Sequence, residues 1–490
     1  MASLKSLAKD TAIYGMSSIV GRFLNYLLMP LYTAKIAAST GGYGVVTEVY
    51  SYTALLFVIL TFGMETTLFR FINREDERDP TRVYTTALIA VSSVGLAFIA
   101  LVLLGLRGIA GWMGYADHPE YVWMMATAVA LDAFQAIPFC YLRYQKRPMK
   151  FAILKLGFIF LNITLNLLFF LVLPAVVEDF VVKVDYVFAI NLACTGLITF
   201  GFWKELFGVR WRLDKALLRR MLGYAWPILV LGIAGILNQT ADKILFPQLV
   251  PGQEGKVQLG IYGAAVKIAM IMALITQAFR YAYEPFVFAA TKEGDSTDNR
   301  RTYALTMKFF IIFTLFAFLA VVAYLEVIRH IIGRDYWEGL KTVPIVMVAE
   351  ILMGIYFNLS FWYKLTDRTI WGTWFSGAGC VVLLACNVLF VPQYGYMACA
   401  WAGFCSYGMA MLLSYLVGQK KYPIRYDLKS IGCYVLLAAV LYVAAEYVPI
   451  DNLYLRLTYR TVLLLVFMAY IIKRDMPLSQ IPLINRLVKR

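Results

Sequence analysis

Apolar residues run almost unbroken for about 20 positions at a time along this chain, then give way to short polar and often basic connections. The pattern lacks the two-residue alternation of a barrel strand and the narrow apolar stripe of a soluble helix. A helix of about 20 apolar residues crosses roughly 30 Å of hydrocarbon. Fourteen such runs are present, near 11–34, 45–72, 83–106, 120–142, 151–174, 184–203, 221–249, 258–289, 303–326, 343–364, 369–391, 395–417, 430–449 and 455–472. The pattern predicts an all-α polytopic membrane protein with fourteen transmembrane helices.

Composition agrees: of 490 residues 61% are hydrophobic and only 15% charged, which leaves no room for a separate soluble domain. The net charge of +15 has a topological origin. Outside the spans, about 30 Lys and Arg fall on the side that holds the N-terminus and about 9 on the other, so both termini are expected in the cytoplasm. Topology and contact with anionic lipid therefore explain the basic balance, and nucleic acid is not expected as a partner. The first span is too long and uninterrupted for a cleaved signal peptide. All seven cysteines lie inside apolar runs, which argues against a disulfide framework. The two histidines, His118 and His330, sit beside different helices, and no CxxC or HExxH spacing occurs, so no metal site, haem or other cofactor is expected. Catalysis is not expected either, since there is no nucleotide loop, no nucleophile and base arrangement, and no long outer loop in which to assemble one.

The informative residues are the charges within the apolar runs. Six basic residues fall there: Arg22, Lys155, Lys267, Arg280, Lys308 and Arg460. Lys155, Lys308 and Arg460 are close enough to helix ends to snorkel, whereas Arg22 and Lys267 are deeper. The stretch "LFVILTFGMETTLFRFINRED" from Leu55 adds Glu65 and Arg70, five positions and about 140° apart on an ideal helix, too far around to neutralise each other. Arg280 and Glu284 share a helix face. Lys267 and Arg280 share a cavity only if their helix bends.

An internal repeat organises these charges. "GGYGVVTEVYSYTALLFVILTFGMETTLF" from Gly41 aligns without gaps with "GIYGAAVKIAMIMALITQAFRYAYEPFVF" from Gly260, matching Tyr43 with Tyr262, Glu48 with Lys267 and Glu65 with Glu284. "NYLLMPL" from Asn25 aligns with "DKILFPQ" from Asp242. The first and second spans thus correspond to the seventh and eighth. That predicts two parallel six-helix lobes, residues 1–210 and 211–420, with 421–490 holding two extra helices and a cytoplasmic tail. Two such lobes suit alternating access to a cleft between them. Its candidate lining is Arg22, Asn25, Glu65, Arg70, Asp242, Lys267, Arg280 and Glu284, with Lys243 beside Asp242.

"LNQTADKILFPQLV" followed by "LGIYGAAVKIAMIM" resembles the seventh and eighth helices of the polysaccharide transporter family, the Wzx-type flippases of the multidrug/oligosaccharidyl-lipid/polysaccharide exporter superfamily. "GRFLNYLLMPLYTAKI" with "GGYGVV" resembles the first two, and "VPQYGYMACAWAGF" from Val391 resembles the start of the twelfth. The resemblance implies a transporter of the bacterial inner membrane, not an enzyme. It would carry a polyprenyl-pyrophosphate-linked oligosaccharide to the outer leaflet for surface polysaccharide or O-antigen assembly. Its coupling ion would be H⁺ or Na⁺, and its partners the lipid-linked substrate, membrane lipid and glycan-assembly proteins. Basic residues in a low-dielectric cleft would hold the pyrophosphate. A lipid II flippase, a drug/cation antiporter and, from another class, a membrane glycan polymerase or ligase stay open at this stage.

Overall fold

The computed structural model describes residues 26–73, 79–291, 297–366 and 368–475, and every regular element among them is helical. Twelve helical spans are long and apolar enough to cross a membrane, and a shorter apolar helix, Asp185–Phe200, makes thirteen. These fall on the second to fourteenth expected spans. The first lies mostly outside the described residues; its described part is α1 (Leu28–Lys35).

Two spans that read as continuous in sequence are each made of two helices. The second divides into α2 (Gly42–Thr61) and α3 (Met64–Ile72). Phe62 and Gly63 take left-handed backbone angles at the joint, φ 51° and 67°, which a continuing helix cannot contain. Next come α4 (Pro80–Leu104), α5 (Pro119–Tyr144), α6 (Pro148–Leu167), α7 (Asp185–Phe200) and α8 (Lys215–Leu249). The eighth span then divides into α9 (Gln253–Ala269) and α10 (Ile271–Thr291), interrupted at Met270. The repeat does not extend to these breaks. Phe62 and Gly63 align with Tyr281 and Ala282, not with Met270. The chain ends in α11 (Thr297–Ala323), α12 (Val343–Leu359), α13 (Ile370–Tyr394), α14 (Tyr396–Lys421), α15 (Leu428–Tyr447) and α16 (Leu453–Arg474).

The chain folds as two compact units, one running to Ala264 with Leu383–Cys399, the other comprising Ala265–Val382 with the chain from Ala400. In the first, α5 packs against α2, α4 and α7, while α8 lies along α2. Apolar burial there centres on Leu60, Met64, Leu68, Tyr84 and Leu88, all closed off from solvent. In the second, α11 is the hub and contacts α10, α12, α15 and α16. Side-chain caps fix several helix starts: Asp79 accepts from the Thr81 and Arg82 amides with Pro80 at the first helical position, and Asp214 accepts from Leu217 N at 2.8 Å.

Candidate functional site in the membrane charges

The repeated Tyr-Gly motifs meet within the first unit. A Cβ on Gly44 would stand 1.9 Å from the Lys256 carbonyl oxygen, and one on Gly260 would stand 2.9 Å from the Gly44 nitrogen. Only hydrogen fits where α2 and α9 cross, so the glycines of both motifs have a packing cause. Three residues further along α9, Gly263 faces Thr47 in the same way.

Beside this crossing Glu48 is fully buried. The Tyr115 hydroxyl donates to its Oε2, while its Oε1 accepts no hydrogen bond among the described residues. Burial and then the Glu48 charge push the Tyr115 phenol up, so it stays protonated and able to donate. Lys256 lies with its ammonium 4.7 Å from the Tyr115 ring centre, donates to Gly114 O at 3.0 Å, and acts on Glu48 through its charge. Sequence reading aligned Glu48 with Lys267 but left it out of the candidate lining. A carboxylate inside an apolar run was the available signal.

Asp242, on α8, is also buried. Lys243 Nζ reaches both its oxygens at 3.0 Å, and the Tyr262 hydroxyl donates to Oδ2 at 2.9 Å. The repeat-matched tyrosine therefore ties α9 to α8. Lys243, noted in sequence only as a neighbour, is the cation that answers Asp242.

Glu65 and Arg70 occupy opposite ends of the nine-residue α3, a carboxylate in the first turn and a guanidinium in the last. Each complements the dipole end it sits on, which accounts for charge that made little sense in one long apolar helix. Glu65 is half-buried, and the charges of Lys155 and Arg143 act on it. Lys155 acts on Asp132 as well, and Asp132 accepts from Thr195 Oγ1 at 3.3 Å. The charge of Lys155, whose ammonium lies 4.2 Å over the Phe139 ring, thus acts on two carboxylates, and Asp132 was missed. Arg70 is exposed and lies 4.1 Å over the Tyr224 ring.

In the second unit Lys267 is exposed on α9, and the half-buried Arg280 on α10 lies 5.2 Å over the Phe357 ring. The interruption at Met270 falls between them, with the Met270 amide donating to Val266 O at 2.9 Å and Met270 O accepting from Leu274 N at 3.1 Å. Glu284 belongs to α10, and its side chain lies outside the described set. Arg22 and Asn25 lie outside the described residues. Lys308 and Arg460 correct an expectation, for both are buried instead of snorkelling. Lys308 pairs with Asp475 at 2.5 Å and Asp427 at 3.5 Å. Arg460 lies 3.5 Å from Glu326 and 3.7 Å from Glu446, and Arg456 joins Glu326 at 2.8 Å.

All seven cysteines are free thiols. Among the described residues His118, Glu120 and Asp185 form a group with metal-ligating atoms, all within 4.8 Å of one another. In it His118 Nδ1 is hydrogen-bonded to Glu120 at 2.8 Å.

The family model described as "Polysaccharide biosynthesis protein" matches residues 7–281, more than half of the chain. The chain belongs to the polysaccharide biosynthesis protein family. Protein 1 of the Lsg locus of Haemophilus influenzae is 19% identical over 398 residues, covering 79% of this chain and 94% of its own. The fold is shared with solved transporters. The lipid II flippase MurJ, in an inward closed conformation, matches with a TM-score of 0.73 at 11% identity over 94% of this chain and 98% of its own. An inward-facing multidrug resistance MATE transporter of the MOP superfamily matches with a TM-score of 0.67 at 14% identity over 81% of this chain and 93% of its own. This family member is a multi-pass membrane protein with the MOP-type helical fold.

Proposed function

We propose that this protein is a flippase that moves a polyprenyl-pyrophosphate-linked oligosaccharide from the cytoplasmic to the outer leaflet of the bacterial inner membrane. Membership of the polysaccharide biosynthesis family carries the reading. Likeness in fold to a lipid II flippase over nearly the whole chain adds support. Under this proposal both termini are cytoplasmic, residues 1–210 and 211–420 act as two parallel lobes in alternating access, and 421–490 are appended to them. Arg22, Lys267 and Arg280 meet the phosphates, Asn25, Asp242 and the Glu65 and Glu284 pair complete the polar lining, and H⁺ or Na⁺ drives the cycle.

The chemistry is that of exchanging one solvation for another. A pyrophosphate strands two or more negative charges in hydrocarbon unless cations replace its water. A guanidinium or ammonium screened by apolar helices binds such a group far more tightly than the same cation in bulk water. The membrane-facing surface remains apolar, so the polyprenyl chain needs no protein solvation.

The test is a deletion strain complemented with Lys267→Ala or Arg280→Ala. Export of surface glycan is expected to fall at least tenfold with protein abundance unchanged, while lipid-linked glycan builds up on the cytoplasmic leaflet. Normal export by both variants removes them from the path, and a deletion that stalls peptidoglycan instead of surface glycan moves the assignment to lipid II.

A further inference from the structure

A pocket of about 590 Å³ opens in the first unit, and none of the candidate cleft residues lines it. It is walled by the start of α4, the end of α5 and residues 204–212, which precede α8. Three membrane spans begin or end here, so the pocket sits at the boundary between hydrocarbon and water. Its wall carries five basic side chains, Arg82, Arg147, Lys204, Arg210 and Arg212, against two acidic ones, Asp79 and Glu205.

Part of this charge is answered within the protein. Arg82 pairs with Asp214, which also caps α8. Glu205, buried, takes Lys150 Nζ at 2.5 Å on Oε2 and has Arg147 Nη1 at 3.6 Å from Oε1. Asp79 is occupied in capping α4. Lys204, Arg210 and Arg212 are exposed and have no acidic partner among the described residues. The wall also contains buried acceptors, Gln145 Oε1 and Glu205 Oε1, that accept no hydrogen bond among the described residues, Arg147 Nη1 standing 3.6 Å from the latter. An excess of cations beside unmet acceptors suits a group that presents phosphate oxygens together with hydroxyls.

The segment that supplies much of this wall offers a second, independent observation. Trp203, Phe207 and Trp211 are each at least half exposed around the same segment, and Trp211 Nε1 donates to Leu206 O at 2.7 Å, which fixes its ring. Tryptophan beside cations at the end of a span is the signature of the headgroup layer. A soluble anion would have no use for these exposed rings beside the cations, whereas a phospholipid would lay its acyl chains against them.

We propose that this pocket holds the phosphate headgroup of an anionic, hydroxyl-bearing phospholipid, separately from any transported substrate. Arg210 and Arg212 face the phosphate, and Trp203, Phe207 and Trp211 seat the lipid at the interface. The site belongs to the first unit alone, so it does not depend on the proposed transport cycle.

The test uses the full chain in nanodiscs of phosphatidylcholine doped with phosphatidylglycerol, with retained lipid read by native mass spectrometry. The unaltered chain is expected to retain phosphatidylglycerol selectively. Arg210→Gln with Arg212→Gln is expected to weaken that retention roughly 20- to 30-fold, two surface cations' worth. Lys420→Gln with Lys421→Gln, a loss of the same charge elsewhere, is expected to leave it unchanged. Size-exclusion profiles report that each variant is folded. Equal retention by both double variants overturns the proposal, because charge in general would then suffice. Inorganic pyrophosphate binding to the detergent-solubilised chain, with the same loss in Arg210→Gln and Arg212→Gln but no selective lipid, overturns the lipid source and leaves a soluble phosphate ligand.

Discussion

Glu48 and Glu326 are carboxylates drawn away from water in different units, and their surroundings could hardly differ more. Glu326 faces two guanidinium groups, Arg456 at 2.8 Å and Arg460 at 3.5 Å, and Arg460 in turn donates to Ala445 O at 3.0 Å. Among the described residues Glu48 has a tyrosine hydroxyl on one oxygen and no hydrogen bond on the other, and Lys256, whose charge acts on it, donates to Gly114 O instead. The first arrangement satisfies its charges and fastens α15 and α16 to the end of the span that begins with α11. A second cluster, Lys308 from the middle of α11 with Asp427 before α15 and Asp475 after α16, does the same at the other end of those two helices. The last two helices are thus riveted at both ends, whereas the α2 and α9 crossing keeps a charge only half answered. A matched buried pair is architecture. An under-matched one is the better candidate for a group that changes partner during a cycle.

The sharpest way to break this contrast is Glu326→Ala, which leaves the buried Arg460 with only the half-exposed Glu446, 3.7 Å away. Removing one partner of a buried ion pair is expected to destabilise by about 3–5 kcal/mol, read as a lower midpoint of thermal unfolding and earlier proteolysis between α14 and α15. Next comes Tyr115→Phe, which deprives Glu48 of its hydroxyl donor and is expected to cost about 1–3 kcal/mol. Adding Glu48→Gln should recover most of that loss, because a neutral amide tolerates the site. If the double variant stays stable yet fails to export glycan, the half-answered charge is functional. If it exports normally, Glu48 is architecture after all.

The smallest effect is expected from Asp427→Asn. Its backbone bond with Ser430 and then the nearby Lys308 hold the Asp427 carboxyl below the usual carboxylate range, despite its exposure. A depressed acid stabilises the fold above its unfolded value and loses that contribution as the pH falls through its folded value. Asparagine keeps the cap and removes only the charge, so a few tenths of a kcal/mol should separate the two proteins at pH 7. Below about pH 4 their unfolding midpoints should converge.

Thirteen of the expected spans were legible because length and apolarity decide them, and a bilayer leaves little else possible. The repeat, too, was visible, and its glycines have a cause in the Gly44 and Gly260 contact. Helix breaks were not legible. Phe62 carries no sign of a left-handed turn in its identity, and Met270 is an ordinary helix former. The partnerships of charges were hidden for another reason: Arg460 and Glu326 are far apart in sequence and meet only through packing, so nearness to a helix end suggested snorkelling. Of the candidate lining, Asp242 and Glu65 fall among identifiable partners, while Arg22 and Asn25 lie outside the described residues.

Phe62 stands at the joint between α2 and α3. At φ 51° a residue with a side chain is strained by about 1–2 kcal/mol relative to the right-handed alternative, and its neighbour Gly63 makes the same turn freely. A single change to glycine would relieve the joint, yet the position carries an aromatic ring. That ring lies 6.2 Å from the ring of Trp226 on α8. The phenylalanine is therefore a latch more than a hinge: it trades local ease for a grip on α8, so that α3, and with it Glu65 and Arg70, cannot swing without releasing a tryptophan.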